Sequence, residues 1–159
     1  MSVDRAPFQF ISRIRVTIQL AETDNDIRRC FPVLVQLRPH LDPETFIADT
    51  RRQMAGGYRL VGLKDDGVVR AVAGYRILEM FSRGRFLYVD DLVTDAAARS
   101  QGYGDALFDW LIHRARAEGC RQLDLDSGVQ RSGAHRFYFR KRMRVASYHF
   151  TTPLDADAE

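Results

Sequence analysis

Two aspartates stand side by side in an otherwise apolar run, Leu87-Tyr88-Val89-Asp90-Asp91-Leu92-Val93-Thr94. Aspartate is depleted from strands, so a pair inside a strand-like segment calls for a reason beyond packing. A carboxylate there can take a proton from an ammonium or hold it as a counter-ion. Strict alternation puts Asp90 on one face with Leu92 and Thr94 and Asp91 on the other, unless a bulge intervenes. Asp90 is therefore the first candidate for a base or ammonium anchor, and Asp91 the alternate. Capping a bulge or pairing with an arginine would also explain either residue.

The segment that follows is built to approach an anion. Arg99-Ser100-Gln101-Gly102-Tyr103-Gly104-Asp105 connects this strand to an amphipathic stretch. Two glycines two apart let a ligand come close to the backbone with no Cβ in the way. The helix behind them presents unpaired N–H groups, and its dipole favours negative charge at that end. Arg99 can add a side-chain contact, and a pyrophosphate fits the whole. A nucleotide-triphosphatase loop is excluded because no Gly-x-x-x-x-Gly-Lys-Ser/Thr occurs, and a dinucleotide fingerprint because the glycine spacing fails. A Gly-rich connector with no ligand accounts for the same residues.

The elements that would position these groups follow from periodicity and breakers. Residues 13–20 alternate as a half-buried strand. Thr23-Asp24-Asn25-Asp26 supplies N-cap candidates for a helix to about Leu37, ended by Arg38-Pro39. Asp42-Pro43 predicts the start of a second helix, closed by Gly56-Gly57. Residues 58–64 and 68–78 form a hairpin over Asp65-Asp66-Gly67, and a strand runs from 85 to 94. Leu107, Phe108, Leu111, Ile112 and Ala115 mark a helix from 103 to 118, which Gly119 stops. A strand at 121–126, a helix at 132–142 and a last strand at 144–151 complete the order. The fold class is mixed α/β with one βαβ unit. All 159 residues fit one domain, with a core at about 13–151 and loosely ordered ends at 1–12 and 152–159.

Composition narrows the function classes. Charged residues are 28% and apolar residues 45%, the balance of an ordinary globular protein. No apolar run approaches the ~18 residues needed to span a bilayer, and the first residues lack the pattern of a secretory signal. Cys30 and Cys120 have no metal-ligand spacing, so free thiols in a cytoplasmic setting and no metal are expected. The net charge of +3 hides 22 arginines against two lysines. These are spread along the chain rather than gathered on one element, which makes a nucleic-acid partner a poor fit.

Arg99-x-x-Gly102-x-Gly104, following Asp-Leu-Val-Thr and opening a helix, resembles the acyl-CoA-binding motif Gln/Arg-x-x-Gly-x-Gly/Ala of the GNAT superfamily of N-acetyltransferases. Ala134-His-Arg-Phe137-Tyr138-Phe-Arg-Lys-Arg142-Met143 resembles that family's second signature, Ala-x-x-Leu/Phe-Tyr-x-x-x-Gly-Phe. The likeness covers about residues 58–150. Two positions depart from it: Arg131 stands where the family often has asparagine, and Arg142 where it has glycine.

The resemblance implies a mixed, mostly antiparallel sheet with a splayed parallel strand pair that holds acetyl-CoA. It implies that Leu92, Val93 and Thr94 offer backbone groups to the pantetheine arm, while residues 99–105 receive the pyrophosphate and Ala134 leaves room for the cofactor. Tyr138, one turn after Ala134, would protonate the departing thiolate, with Asp90 or Asp91 as base. The expected reaction is direct acetyl transfer to a primary amine. A small-molecule acceptor is favoured over a protein N-terminus or lysine, and a homodimer is compatible with it. A non-catalytic acyl-CoA-binding module is the rival from another class. His135, His40, the Asp124/Asp126 pair and Cys120 are secondary candidates, each with a simpler structural explanation.

Overall fold

The computed structural model describes residues 16–154. The sequence expectations for residues 1–15 and 155–159 lie outside the described residues. The chain divides into two compact units between Leu123 and Asp124. Five strands form one sheet in the order β1 (Val16–Leu20), β2 (Arg59–Asp65), β3 (Val68–Met80), β4 (Gly84–Thr94), β5 (Gln122–Leu125). β1 to β4 run antiparallel to their neighbours, and β5 lies parallel to β4. With four helices in the chain, this is the mixed α/β fold class expected from the sequence.

Helix α1 (Asp24–Leu37) begins as its sequence requires. The Thr23 side chain accepts from the Asp26 N–H, and Asp26 reaches back to the Thr23 N–H, a capping box. α1 lays Ile27, Cys30, Val33 and Leu34 on the sheet against Leu60, Val69 and Val72. On the other face Tyr75 meets Trp110 edge-on at 6.1 Å. Trp110 belongs to α3 (Tyr103–Ala117), which packs on β3 and β4. Its Leu107 and Leu111 are fully buried, each contributing about 1.5–3 kcal/mol relative to exposure. Cys30 sits in this core, and burial pushes its thiol up to about 12, which leaves it unreactive. Among the described residues no helix is long and apolar enough to cross a membrane.

Helix α2 (Phe46–Ala55) starts later than Asp42-Pro43 suggests. The Asp42 carboxyl accepts from the Glu44 N–H at 2.8 Å, so residues 42–45 close as a turn first. Phe46 then inserts into the core beside Phe31, ring centroids 5.0 Å apart.

In the second unit, α4 (Ser132–Arg140) carries Ala134 and Tyr138 on one face. Arg142 adopts φ +63°, with Met143 N–H bonding Tyr138 O and Arg142 N–H bonding Phe139 O. This is a Schellman ending, so the left-handed turn expected of glycine is made here by arginine, against strain. Arg142→Gly is expected to raise the melting temperature by ~2–4 °C in a thermal scan, since a left-handed non-glycine costs about 1 kcal/mol.

The expected last strand at 144–151 is not formed. The residues are described without strand pairing, and Val145, Tyr148 and Phe150 are exposed. Alternation tells which residues share a face, but a strand exists only where a neighbour accepts its hydrogen bonds.

Candidate active site

The site begins with a register slip. Gly74 pairs with Asp91 and Tyr75 with Val89, so Asp90 is an extra residue in β4. A bulge re-aims the side chains that flank it. Asp90 and Asp91, which alternation would separate, therefore line one cavity together with Arg38, His40, Phe46 and Tyr58. Its volume is about 420 Å³ and it lies wholly within the first unit.

The two carboxylates are held differently. Asp91 is engaged at both oxygens, by Arg38 Nε at 2.8 Å and by the Tyr58 hydroxyl at 3.1 Å. Asp90 receives Arg76 Nε at 2.8 Å on Oδ2, while its Oδ1 is buried with no partner among the described residues. Burial pushes the Asp90 carboxyl above the ordinary range, although Arg76 pulls it back down. A carboxylate with one free buried oxygen and a raised proton affinity is suited to receive a proton or a cation.

The second layer explains how the pair is fixed. Tyr58 lies over β3, and a Cβ on Gly74 would sit 2.1 Å from its hydroxyl, so only glycine admits this crossing. Burial first, and then the Asp91 charge, raise the Tyr58 phenol well above its usual value, so it stays protonated as a donor to Asp91. Arg76 stacks over the Tyr58 ring at 5.3 Å and donates to Gln53 Oε1 at 2.6 Å, linking Asp90 to α2. Arg38, at the end of α1, also donates to the Asp90 carbonyl at 3.0 Å. None of Tyr58, Gly74, Arg76 or Arg38 is singled out by sequence motif. Two signals were present: Arg38 at the helix end before Pro39, and a glycine, Gly74, inside a strand-like run.

β4 continues from the bulge into the anion cradle. Leu92, Val93 and Thr94 are half-buried and pair on one side with Ala73, Val72 and Ala71. After Thr94, Asp95 caps a 3₁₀ turn at Ala96–Ala98, accepting from the Ala97 N–H. Gln36 of α1 clamps this start, donating to Asp95 Oδ1 at 3.1 Å and accepting from the Ala96 N–H at 2.9 Å. Ser100 has φ +62° and Gly102 φ +83°, on either side of Gln101. Left-handed backbone in such a turn can bring successive N–H groups to one side as a concave nest. Gly102 is the N-cap of α3 and a Cβ built there would meet nothing within 4 Å. The space over the helix end is open, as a pyrophosphate requires.

Arg99, Ser100 and Gln101 are exposed around this opening, and Gly104 and Asp105 lie in the first turn of α3. Tyr103 turns inward instead, its hydroxyl donating to Asp65 of the β2–β3 hairpin. It can serve an anion by its backbone N–H, while its side chain anchors the helix start.

In the second unit Tyr138 is half-buried, its ring edge-on to Phe137 at 5.7 Å. Burial raises its phenol and the Arg131 charge lowers it, leaving the raised direction. The hydroxyl therefore holds its proton until a strong base arrives. His135 is occupied within the same unit, its Nε2 2.9 Å from Gly128 O. The Cys120 thiol is raised by burial, which disfavours a nucleophilic role.

A model of the acetyltransferase (GNAT) family matches residues 20–143. An uncharacterised N-acetyltransferase YhdJ of Bacillus subtilis is 36% identical over 126 residues, covering 78% of this chain and 89% of the relative. The glucosamine 6-phosphate N-acetyltransferase 1 of Oryza sativa is 35% identical over 117 residues, 68% of this chain and 71% of that protein. The aminoalkylphosphonate N-acetyltransferase of Salmonella typhimurium is 28% identical over 97 residues, 61% and 62% respectively. The aminoglycoside N-acetyltransferase AAC(6')-Iy, solved in complex with CoA, superposes with a TM-score of 0.80 at 13% identity, covering 90% of this chain and 97% of that one. At that identity the likeness concerns the fold.

Proposed function

Because the chain belongs to the GNAT acetyltransferase family and is an acyltransferase, we propose that it carries acetyl from acetyl-CoA directly to the amine of a small molecule. The observation that carries this reading is the bulge: it brings an incompletely partnered Asp90 into a cavity on the same strand that leads into the open cradle at Gly102. Acceptor site and donor site are thus coupled by one strand. The names of two relatives state small amine acceptors, an aminoalkylphosphonate and glucosamine 6-phosphate, which supports a small molecule here.

The residues divide the work. The nest from Ser100 to Tyr103 and the α3 N-terminus receive the pyrophosphate, with Arg99 at the rim. Backbone groups of Leu92 to Thr94 orient the pantetheine arm. Acetyl-CoA supplies the activated thioester. Asp90 accepts the proton of the incoming ammonium, so that the nitrogen lone pair can attack the carbonyl carbon. Asp91, fixed by Tyr58 and Arg38, holds the cavity wall. Tyr138 gives its proton to the departing thiolate, whose conjugate thiol has a pKa of about 8.5.

Saturating acetyl-CoA, near 100 times its dissociation constant, is expected to raise the melting temperature by ~5–10 °C, because it binds only the folded state. An unchanged melting curve at millimolar acetyl-CoA contradicts the reading. Tyr138→Phe keeps the ring and removes only the hydroxyl. Its kcat is expected to fall roughly 10- to 1,000-fold with little change in stability, and less with a donor whose leaving thiol is more acidic. Turnover equal to wild type would return Tyr138 to a packing role.

A further inference from the structure

The cavity's unused hydrogen-bonding groups constrain the acceptor more tightly than its charge count does. Three carboxylates line it, which by itself suggests a polycation. Two of them are already engaged at both oxygens. Asp91 holds Arg38 and Tyr58, and Asp49 holds Arg52 Nη1 at 2.7 Å and the Thr45 hydroxyl at 2.7 Å. Only Asp90 keeps a buried oxygen with no partner. An ammonium received there meets an unpartnered oxygen, whereas a second would have to share a carboxylate already bonded at both oxygens.

The unused donors point the other way. Arg38 is fixed on one edge, Nε to Asp91 and Nη2 to the Asp90 carbonyl. Because the guanidinium is a rigid planar fork, those two bonds also fix Nη1, which meets no acceptor among the described residues. The Arg38 side chain is 44% exposed, so this fork is open to a ligand. His40, which also lines the cavity, has no ring partner among the described residues. Arg38 is bonded to the Asp90 carbonyl, and Arg38, His40 and Asp90 line the same cavity, so the vacant acceptor and the vacant donors share one site.

We infer that the acceptor amine carries an anionic group, carboxylate or phosphonate or phosphate, a few bonds from its nitrogen, received by Arg38 Nη1 and His40 while the ammonium meets Asp90. This rests on the acetyltransfer reading for its reaction but not for its binding. A planar guanidinium offers parallel N–H bonds to such groups, and the pairing is charge-assisted. A neutral amine would fill the cavity and leave the fork unpaired, losing that interaction.

The test measures binding of matched pairs by calorimetry on the CoA-loaded protein: β-alanine against its methyl ester, and 2-aminoethylphosphonate against its diethyl ester. The acid of each pair is expected to bind about 10- to 100-fold more tightly than its ester, the range a hydrogen-bonded charge supplies. The stronger of the two acids tells whether carboxylate or phosphonate is the natural group. Equal affinities, or tighter binding of the esters, overturn the inference. In Arg38→Gln, and separately in His40→Gln on its exposed loop, the preference for acid over ester is expected to narrow severalfold. A preference unchanged in His40→Gln and in any folded Arg38→Gln protein removes the assignment to these residues. Thiol release measured in separate mixtures of the protein with acetyl-CoA and each amine reports the acetyltransfer reading independently, since binding preference can hold while transfer fails, and the reverse.

Discussion

Gly104→Val is expected to weaken acetyl-CoA binding by about 100-fold or more while leaving the melting temperature nearly unchanged. Gly104 lies in the first turn of α3 with ordinary helical backbone, so valine there adds bulk at the proposed pyrophosphate site without left-handed strain. The loss corresponds to one or two charge-assisted hydrogen bonds to the phosphates. Gly102→Val is expected to lose binding at least as completely but to melt earlier, because its φ of +83° disfavours any residue with a Cβ. The control is Gly119→Val, just past the C-terminal end of α3. There φ is +71° and a Cβ also meets open space, so the strain is alike but the cradle lies at the opposite end of the helix. Equilibrium titration with acetyl-CoA should show Gly119→Val binding normally. Normal binding in Gly104→Val would place the cradle elsewhere.

Asp90→Asn is expected to lower kcat/KM by roughly 100- to 10,000-fold near neutral pH, the range of a general base. The loss should shrink as pH rises toward the pKa of the free amine, because a neutral amine needs no base. Stability should move the other way. Burial raises the Asp90 carboxyl, so the folded state prefers it protonated. That preference is fully present below the unfolded value of about 3.9 and is lost as pH rises through the raised folded value. At neutral pH the wild type therefore bears the cost of ionising Asp90, and Asp90→Asn is expected to melt no earlier. Asp91→Asn should behave in the opposite sense. It disturbs the Arg38 and Tyr58 contacts, so it should melt early and lose activity with little pH dependence. A pH-restored deficit in Asp91→Asn instead would exchange the two roles.

Much of the fold is legible in local chemistry. Thr23 and Asp26 announce α1, Asp66-Gly67 announces the hairpin, and the Gly102 spacing announces the helix behind an anion cradle. What local chemistry does not carry is register. Nothing near Asp90 shows that Gly74 will pair with Asp91 and Tyr75 with Val89, yet that slip places both carboxylates in one cavity. The partners that fix them, Arg38, Tyr58 and Arg76, come from three other parts of the chain and meet only through packing. Gln36 likewise orders the cradle from another helix. The last strand fails for a related reason, since alternation at 144–151 names faces without supplying a neighbour. At Arg142 the left-handed turn survives without its expected glycine, because two backbone bonds hold the helix end.

The central claim is direct transfer of acetyl from CoA to an amine. It is tested most directly by mixing the protein with acetyl-CoA, first alone and then with a panel of amino acids, aminophosphonates and simple amines. Free thiol and the mass of the amine are followed together. The expected result is no acetylated protein before the amine is added, followed by thiol release matched one-to-one by an N-acetylated small molecule. Thiol release that is independent of every amine, or none at all from a protein shown to bind acetyl-CoA, would contradict it.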